Sequence, residues 1–160
     1  MASLCHELAW DLLDEGLLSD SEALVREELV AVRFLATYDP ETFLPNVADA
    51  CENLAGILWE GGHPEEAEPL LREALECYRT LAASDPDEDG LPALIPEAGS
   101  PMGALATILA EGGRVGEAEE LFREGLSMYA ILAQAHPERE DFRLGEEAFR
   151  ESLAQLSAGV

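Results

Sequence analysis

The sequence predicts an all-α fold in which one pair of helices is written three times. Residues 53–86 have near-copies at 104–137, 51 positions later, and at 7–40, 46 positions earlier. In the central copy, Leu54 and Leu58 follow the spacing of one helical face. A helix pair of this kind leaves an apolar face uncovered until a neighbouring pair stacks on it. Three copies therefore predict an α-solenoid, a stack of helix pairs.

Each copy contains two helices joined by a tight turn. In the central copy, Gly61 and Gly62 end the first helix, and Pro64 opens the second at a position where proline is tolerated. The second helix has an apolar stripe of its own: Ala67, Leu70, Leu71, Ala74, Tyr78 and Leu81. Two amphipathic helices joined by so short a turn form an antiparallel hairpin.

Two features of the second helix recur between copies. The small residues Ala67 and Ala74 become Ala118 and Gly125 in the third copy, which predicts that the helix axes approach closely. A glutamate also stands four residues before an arginine in every copy: Glu22 and Arg26, Glu68 and Arg72, Glu119 and Arg123. Such a pair contributes about 0.3–0.5 kcal/mol on a solvated helix face.

A consensus of small and apolar residues runs through the two better copies. The central copy has Leu54-Ala55, Gly61-Gly62, Ala67, Leu71-x-x-Ala74-Leu75 and Pro86, and the third has Leu105-Ala106, Gly112-Gly113, Ala118, Phe122-x-x-Gly125-Leu126 and Pro137. This pattern resembles the tetratricopeptide repeat family. The resemblance implies a right-handed superhelix of three antiparallel helix pairs. The first copy departs most, with Ser21 and Glu28 at the small positions, and the units are longer than the usual repeat of that family.

We expect one domain over residues 1–160, and the length is enough for a continuous core. The repeats are expected at about 2–40, 41–86 and 91–137, with a seventh, capping helix at about 141–157. The six earlier helices are expected at about 2–15, 19–38 behind a Ser19 to Glu22 capping box, 45–60, 64–84, 101–111 behind a Ser100 cap, and 115–135. Prolines and glycines between Pro92 and Gly103 predict a short helical turn near 91–97 and then a loop.

The termini and the cysteines bear on location. The sequence shows neither a signal peptide pattern nor an apolar run long enough to span a membrane. We therefore expect a cytoplasmic protein, and the use of arginine without any lysine suggests a bacterial one. Cys5, Cys51 and Cys77 do not have zinc-ligand spacing, and an odd number does not favour a disulfide framework. Reduced and mostly buried thiols are expected.

The chain is strongly acidic. It has 34 acidic residues against nine cationic ones, all of them arginine, for a net charge of -25. Nucleic acid and anionic membrane surfaces are poor partners for such a chain, because both require a basic footprint. Three explanations of the acidity stay open at this point: a solvated surface, a halophilic source, or capture of a basic partner by the negative field.

Two stretches resemble metal-binding motifs only in part. His6 begins a sequence similar to the helical zinc motif of metalloproteases, but Trp10 stands where the second histidine is required. Asp85, Asp87 and Asp89, followed by glycine, match the first half of an EF-hand loop. Pro96 occupies the place of the bidentate glutamate, so these three residues are a weak calcium candidate. We expect no metal otherwise and no cofactor.

No arrangement for catalysis appears in the sequence, and a non-enzyme is expected. The three histidines have no serine or cysteine at a nucleophile-like spacing. In the family that the chain resembles, the first helices of the pairs line a groove that holds a peptide or a helix of a partner. If this carries over, the groove positions here are His6, Trp10, Leu13, Asp14, Glu52, Asn53, Gly56, Trp59, Glu60, Thr107, Ala110, Glu111, Glu151, Ser152 and Gln155.

The groove residues predict the chemistry of a partner. Members of the family that grip a carboxyl terminus use lysine, arginine and asparagine, whereas this set keeps only Asn53. An acidic rim around Trp10 and Trp59 suits an apolar anchor flanked by arginine or lysine, which predicts a protein-interaction scaffold for a basic or amphipathic segment. The alternative for the two tryptophans is a core or semi-buried packing role. The alternative function is an acidic inhibitor that mimics nucleic acid, and a homo-oligomer through an unpaired amino-terminal helix face is also open.

Overall fold

The computed structural model describes residues 18–84 and 96–159. Helices hold 89% of these residues and no strand occurs among them, so the all-α prediction is confirmed. The chain falls into two compact units, Met1–Ser84 and Asp85–Val160, which are described separately. A single continuous domain and the hand of a superhelix stay predictions. The expected helix at 2–15, the acidic link after Ser84 and the calcium candidate Asp85, Asp87 and Asp89 lie outside the described residues.

The first unit contains three described helices. They are α1 (Leu18–Ala36), α2 (Pro40–Glu60) and α3 (Pro64–Ser84). Helix α2 packs against both α1 and α3. The core between them is formed by Val25 and Leu29 of α1, Leu54 and Leu58 of α2, and Leu71 of α3, all of them buried. Each helix packs on the next one along the chain, as an α-solenoid requires.

The second unit repeats this arrangement. A 3₁₀ helix (Pro96–Ala98) precedes α4 (Gly99–Glu111), α5 (Val115–Ala135) and α6 (Glu140–Ala158), and α5 packs against both α4 and α6. Only Phe142 and Phe149 of α6 are buried. The side away from α5 is mostly polar, with Glu147, Arg150, Glu151 and Gln155 exposed, although Leu144 is also exposed there. The expected capping helix is confirmed.

Glycine makes two of the chain reversals possible, the one between α2 and α3 and the one between α4 and α5. Gly62 and Gly113 have φ of 82° and 77°, a left-handed conformation that side chains disfavour. In the turn between α2 and α3, the His63 N–H donates to the Leu58 carbonyl at 2.8 Å. In the turn between α4 and α5, the Arg114 N–H donates to the Leu109 carbonyl at 2.8 Å. These hydrogen bonds are those of a Schellman motif, which satisfies the last carbonyls of a helix while the chain turns. The ends of α2 and α4 at Glu60 and Glu111 are confirmed.

Helix α2 begins earlier than predicted. We expected it to start near Pro45, but it starts at Pro40, and Pro45 lies inside it. The side chain of Asp39 accepts a hydrogen bond from the Thr42 N–H at 3.3 Å, and Pro40 takes the first helical position. An aspartate cap followed by proline is a complete start signal, because the first N–H groups of a helix have no partner inside it.

Two other predicted caps are wrong. Ser100 was expected to cap a helix starting at Pro101, but α4 begins at Gly99 directly after the 3₁₀ helix, and its N-cap residue Ala98 makes no side-chain hydrogen bond. The Tyr129 hydroxyl of α5 donates to the Pro96 carbonyl at 2.8 Å, so a contact distant in sequence holds this start. Ser19 is already inside α1, so it is not the cap of that helix.

Close approach of helices at small residues is confirmed in both units. Ala67, Ala74 and Ala118 are fully buried. A Cβ atom placed on Gly125 would lie under 3.0 Å from ring carbons of Phe149 in α6. The Phe149 ring also stacks on Tyr129 with centroids 5.6 Å apart. The absence of a side chain at Gly125 therefore makes room for the aromatic contact that attaches the capping helix.

Ion pairs follow the second helices of the repeats. The three predicted pairs are present, with Arg26 at 2.8 Å from Glu22, Arg72 at 2.8 Å from Glu68 and Arg123 at 2.5 Å from Glu119. Two more link α1 to α3: Arg26 Nη2 lies 3.1 Å from Glu66, and Arg33 forms a two-pronged pair with Glu73. The outer faces of these helices are thus partly neutralised.

The two described cysteines are buried, as expected, and neither forms a disulfide. Burial raises the pKa of Cys51 to about 12, and the neighbouring Glu73 carboxylate adds to this shift. Burial likewise raises the pKa of Cys77 to about 11. Both thiols therefore stay protonated and unreactive in the folded state over the neutral range. Cys5 lies outside the described residues.

Substitution of Gly125 tests the attachment of α6. Alanine favours a helix interior over glycine by about 0.5–1 kcal/mol. We nevertheless expect Gly125→Ala to lower the free energy of unfolding by about 1–3 kcal/mol, because the new methyl group meets the Phe149 ring. Urea denaturation followed by circular dichroism measures the change.

A matched control is Gly56→Ala in α2, where a Cβ atom meets nothing within 4 Å. This variant should gain about 0.5–1 kcal/mol. Combining Gly125→Ala with Phe149→Leu should cost less than the sum of the two single changes. A stabilised Gly125→Ala protein would contradict the packing.

Alkaline pH provides a second test. The unfolded chain releases the thiol protons above their ordinary pKa of 9.0, whereas the folded chain retains them up to a pKa of about 12 for Cys51 and about 11 for Cys77. Stability is therefore fully present below pH 9 and falls as the pH rises through this window. We expect each cysteine to contribute a loss of about 1 kcal/mol between pH 8 and pH 10.

The measurement is urea denaturation at the two pH values with the double variant Cys51→Ala and Cys77→Ala as the reference. The chain has no lysine to obscure this range. An equal pH dependence in the variant and the natural protein would show that the thiols do not cause it.

Candidate interaction surface

One side of α2 remains open to solvent within the first unit. Asn53, Gly56 and Trp59 are partly exposed along it, and Glu60 at its end is fully exposed. They recur at three- and four-residue steps, which is the spacing of one helix face. Trp59 is therefore semi-buried rather than sealed in the core, and its role in binding stays a prediction. We call these residues, together with Glu52, the α2 face.

Gly56 makes an open position in the middle of the α2 face. A Cβ atom at Gly56 would meet nothing within 4 Å, so no neighbour requires glycine there. Its backbone conformation is helical, and glycine in a helix interior costs about 1 kcal/mol relative to alanine. The corresponding positions of the other copies hold Trp10 and Thr107. Gly56 is therefore a position without a side chain one helical turn before Trp59, and we call this position the gap.

Carboxylates border this gap. The Tyr78 hydroxyl of α3 lies 3.0 Å from Glu52 Oε1 and 3.5 Å from Asp49 Oδ1, so its single proton serves one of the two at a time. Sequence analysis did not include Asp49 and Tyr78 in the site. Asp49 precedes Glu52 by three residues, and this spacing was the available signal. Glu60 forms no ion pair with any described residue.

Arginine is distributed unevenly between the two kinds of helix. Helices α2 and α4, the first helices of their pairs, contain none. The arginines stand on α1, α3, α5 and α6 or at the N-caps of the last two: Arg26, Arg33, Arg72, Arg79, Arg114, Arg123, Arg139, Arg143 and Arg150. Some glutamates on α1, α3 and α5 pair with these arginines, whereas the acids on α2 have no cation on their own helix.

In the second unit, the predicted groove positions are less distinctive. On α4, the Thr107 hydroxyl donates to the Gly103 carbonyl of its own helix at 2.9 Å, Ala110 is partly buried and Glu111 is exposed. On α6, Glu151 and Gln155 are exposed, while the Ser152 hydroxyl donates to the Ala148 carbonyl.

A single groove through both units stays a prediction. His6, Trp10, Leu13 and Asp14 lie outside the described residues.

One group of potential metal ligands occurs among the described residues. Ligand atoms of His63, Glu65 and Glu66 lie within 4.8 Å of one another, and all three side chains are exposed. Glu66 is already paired with Arg26, and His63 Nδ1 lies 3.7 Å from Glu65. Exposed acids of this kind are common without an ion, so the group is not assigned a function. Among the described helices, none is long and apolar enough to cross a lipid bilayer.

The match to a family of known proteins covers the two helix hairpins. The tetratricopeptide repeat model matches residues 47–87 and 102–138, which correspond to α2 with α3 and to α4 with α5. No curated protein matches the chain. Tetratricopeptide repeats are generally protein–protein interaction modules and are typically not catalytic. With two matched repeats and the consecutive packing of helices in both units, the chain belongs to the tetratricopeptide repeat family.

Proposed function

We propose that this protein is a non-catalytic interaction scaffold whose α2 face binds a basic or amphipathic segment of a partner protein. One observation carries the proposal. Helix α2 carries four acids and neither α2 nor α4 has an arginine, whereas α1, α3 and α5 each pair at least one arginine with a glutamate. The negative charge of α2, one of the helices that line the groove in this family, is therefore not offset by a cation on the same helix. A cytoplasmic location and a bacterial source remain expectations from the sequence.

The expected binding mode combines one apolar anchor with flanking cations. The indole of Trp59 offers apolar area and a hydrogen-bond donor, and the gap at Gly56 leaves space beside it. Arginine or lysine residues of the partner would meet Glu60 on one side and Glu52 on the other. Rim charges mainly govern association rate and specificity, so most of the affinity is expected from the buried anchor.

The absence of cations also narrows the partner class. A free carboxyl terminus needs arginine, lysine or clustered N–H donors to hold its charge. Helices α2 and α4 supply only Asn53 and Thr107 as polar, uncharged groove positions. We therefore propose an internal basic segment rather than an acidic carboxyl terminus as the ligand.

A double substitution in the α2 face, at the apolar anchor and at the neighbouring acid, tests the proposal. We expect Trp59→Ala combined with Glu60→Arg to abolish capture of protein partners from a lysate of the source organism, because the anchor is lost and the rim charge is reversed. Far-ultraviolet circular dichroism should remain unchanged, since neither side chain is fully buried. Captured proteins are identified by mass spectrometry and their binding is then measured by titration.

The matched control is Glu120→Arg on α5, which makes the same change of charge at an exposed position away from α4. It should retain capture. Capture that survives Trp59→Ala with Glu60→Arg would contradict the α2 face as the site. Binding that collapses with salt and weakens equally with either glutamate reversal would point to mimicry of nucleic acid by the whole acidic surface.

A variant that adds a side chain at Gly56 tests the position of the site more directly. We expect Gly56→Leu to reduce affinity for an identified partner by at least about tenfold, because the added side chain occupies the space beside Trp59. The same change should leave the free energy of unfolding unchanged or higher, since leucine favours a helix over glycine. Isothermal titration calorimetry and urea denaturation measure the two effects. Unchanged affinity would show that the gap is not part of the site.

A further inference from the structure

The outer end of α1 carries large apolar side chains that the stack does not bury. Val30, Phe34 and Tyr38 are 68%, 61% and 76% exposed. The rings of Phe34 and Tyr38 contact each other edge to face, with centroids 5.2 Å apart. Val25 and Leu29, on the opposite side of α1, form its contact with the core. The exposed residues therefore lie largely outside the core that the described helices of the first unit form.

Comparison between repeats shows that these residues are not needed for stacking. The positions of Val30, Phe34 and Tyr38 hold Glu76, Thr80 and Ser84 in α3. There the Thr80 hydroxyl donates to the Glu76 carbonyl and the Ser84 hydroxyl to the Thr80 carbonyl, at 2.8 and 2.9 Å. Helix α3 thus packs well with polar groups where α1 exposes aromatic ones. Contiguous exposed apolar residues on a soluble protein commonly mark an interaction site.

The α1–α3 contact provides a template for what binds such a face. Two arginines of α1, Arg26 and Arg33, stand seven residues apart and meet Glu66 and Glu73 of α3, which are also seven apart. Since seven residues nearly complete two helical turns, each pair lies on one face of its helix. One helix therefore recognises the next through a cation pair opposite a matching acid pair.

Helix α1 repeats the acid pair on its own exposed side. Asp20 and Glu27 occupy the positions of Glu66 and Glu73, and Phe34 follows Glu27 by a further seven residues on the same face. Asp20 and Glu27 are exposed, and neither forms an ion pair with a described residue. None of residues 1–19 is an arginine or lysine, so that segment supplies no matching cations. We call Asp20, Glu27, Val30, Phe34 and Tyr38 the α1 end face.

We propose that the α1 end face binds an amphipathic helix of another protein that carries two arginine or lysine residues seven positions apart beside an apolar stripe. The partner's two cations contact Asp20 and Glu27 in the same way that Arg26 and Arg33 contact the acid pair of α3. The apolar stripe of the partner helix covers Phe34 and Tyr38. A second copy of this chain fits less well, because its net charge of -25 opposes association of like surfaces. The site is distinct from the α2 face and does not depend on it.

The test uses a synthetic helical peptide as the probe and the full chain as the receptor. The peptide carries a fluorescent label, two arginines seven positions apart and leucines on the adjoining stripe, and binding is followed by fluorescence anisotropy. We expect Glu27→Arg, and separately Phe34→Ser combined with Tyr38→Ser, to weaken binding by at least about tenfold. A probe with both arginines replaced by glutamate should lose binding to a similar extent.

Ile131→Ser is the matched control. Ile131 occupies the position of Phe34 in the third repeat and is 38% exposed, but no aromatic residue follows it at the position of Tyr38. This variant should bind the probe as the natural protein does.

Three outcomes would overturn the proposal. One is equal affinity of the natural protein and the α1 end face variants for the probe. Another is loss of binding in Trp59→Ala with Glu60→Arg alone, which would place the probe on the α2 face. A third is a dimer in sedimentation equilibrium that Phe34→Ser with Tyr38→Ser dissociates, which would make a second copy the occupant.

Discussion

The structure depends on two reversals of the chain at glycine. Gly62 and Gly113 adopt a left-handed backbone that allows α2 to turn into α3 and α4 into α5 through only three residues. Because these turns are so short, each helix must lie along its predecessor, and the apolar stripes are brought together. The fully buried small residues Ala67 and Ala118 then allow the axes to approach. Without the reversals, the stripes would face water.

The two helices of a pair differ in which side is buried and in how their charges are distributed. The second helices carry arginines that pair along and between helices, so part of their acidic charge is neutralised. The first helix α2 has a buried side and an α2 face with acids but no cation. A repeat with this distribution of charge can stack through one surface and attract a cationic partner through another. The same distribution explains why a strongly acidic chain still forms close helix contacts.

Much of the fold could be predicted from local signals. Glycine after α2 and α4, and proline at the start of α3, defined helix ends correctly, because these residues act through backbone constraints of one or two positions. The start of α2 was placed at Pro45 because Asp39 and Pro40 were interpreted as a link rather than as a cap. The start of α4 depends on Tyr129, more than thirty residues away, and no local pattern contains that information.

The candidate site was predictable in position but not in detail. Helical spacing placed Glu52, Gly56 and Trp59 on one face, and the structure agrees. Whether Trp59 is buried could not be decided from spacing, since tryptophan serves both core and surface. The hydroxyl of Tyr78 between Asp49 and Glu52 was missed, because periodicity describes one helix at a time and this contact joins two.

The hydrogen bond from Tyr129 to the Pro96 carbonyl has a consequence for how this family member can vary. It ties the entry of α4 to a residue of the helix that follows, 2.8 Å from oxygen to oxygen. The start of the third repeat is therefore fixed by a contact within that repeat rather than by the connection that precedes it. Insertions or deletions before Pro96 can therefore accumulate in evolution while α4 still begins at the same residue and packs in the same position.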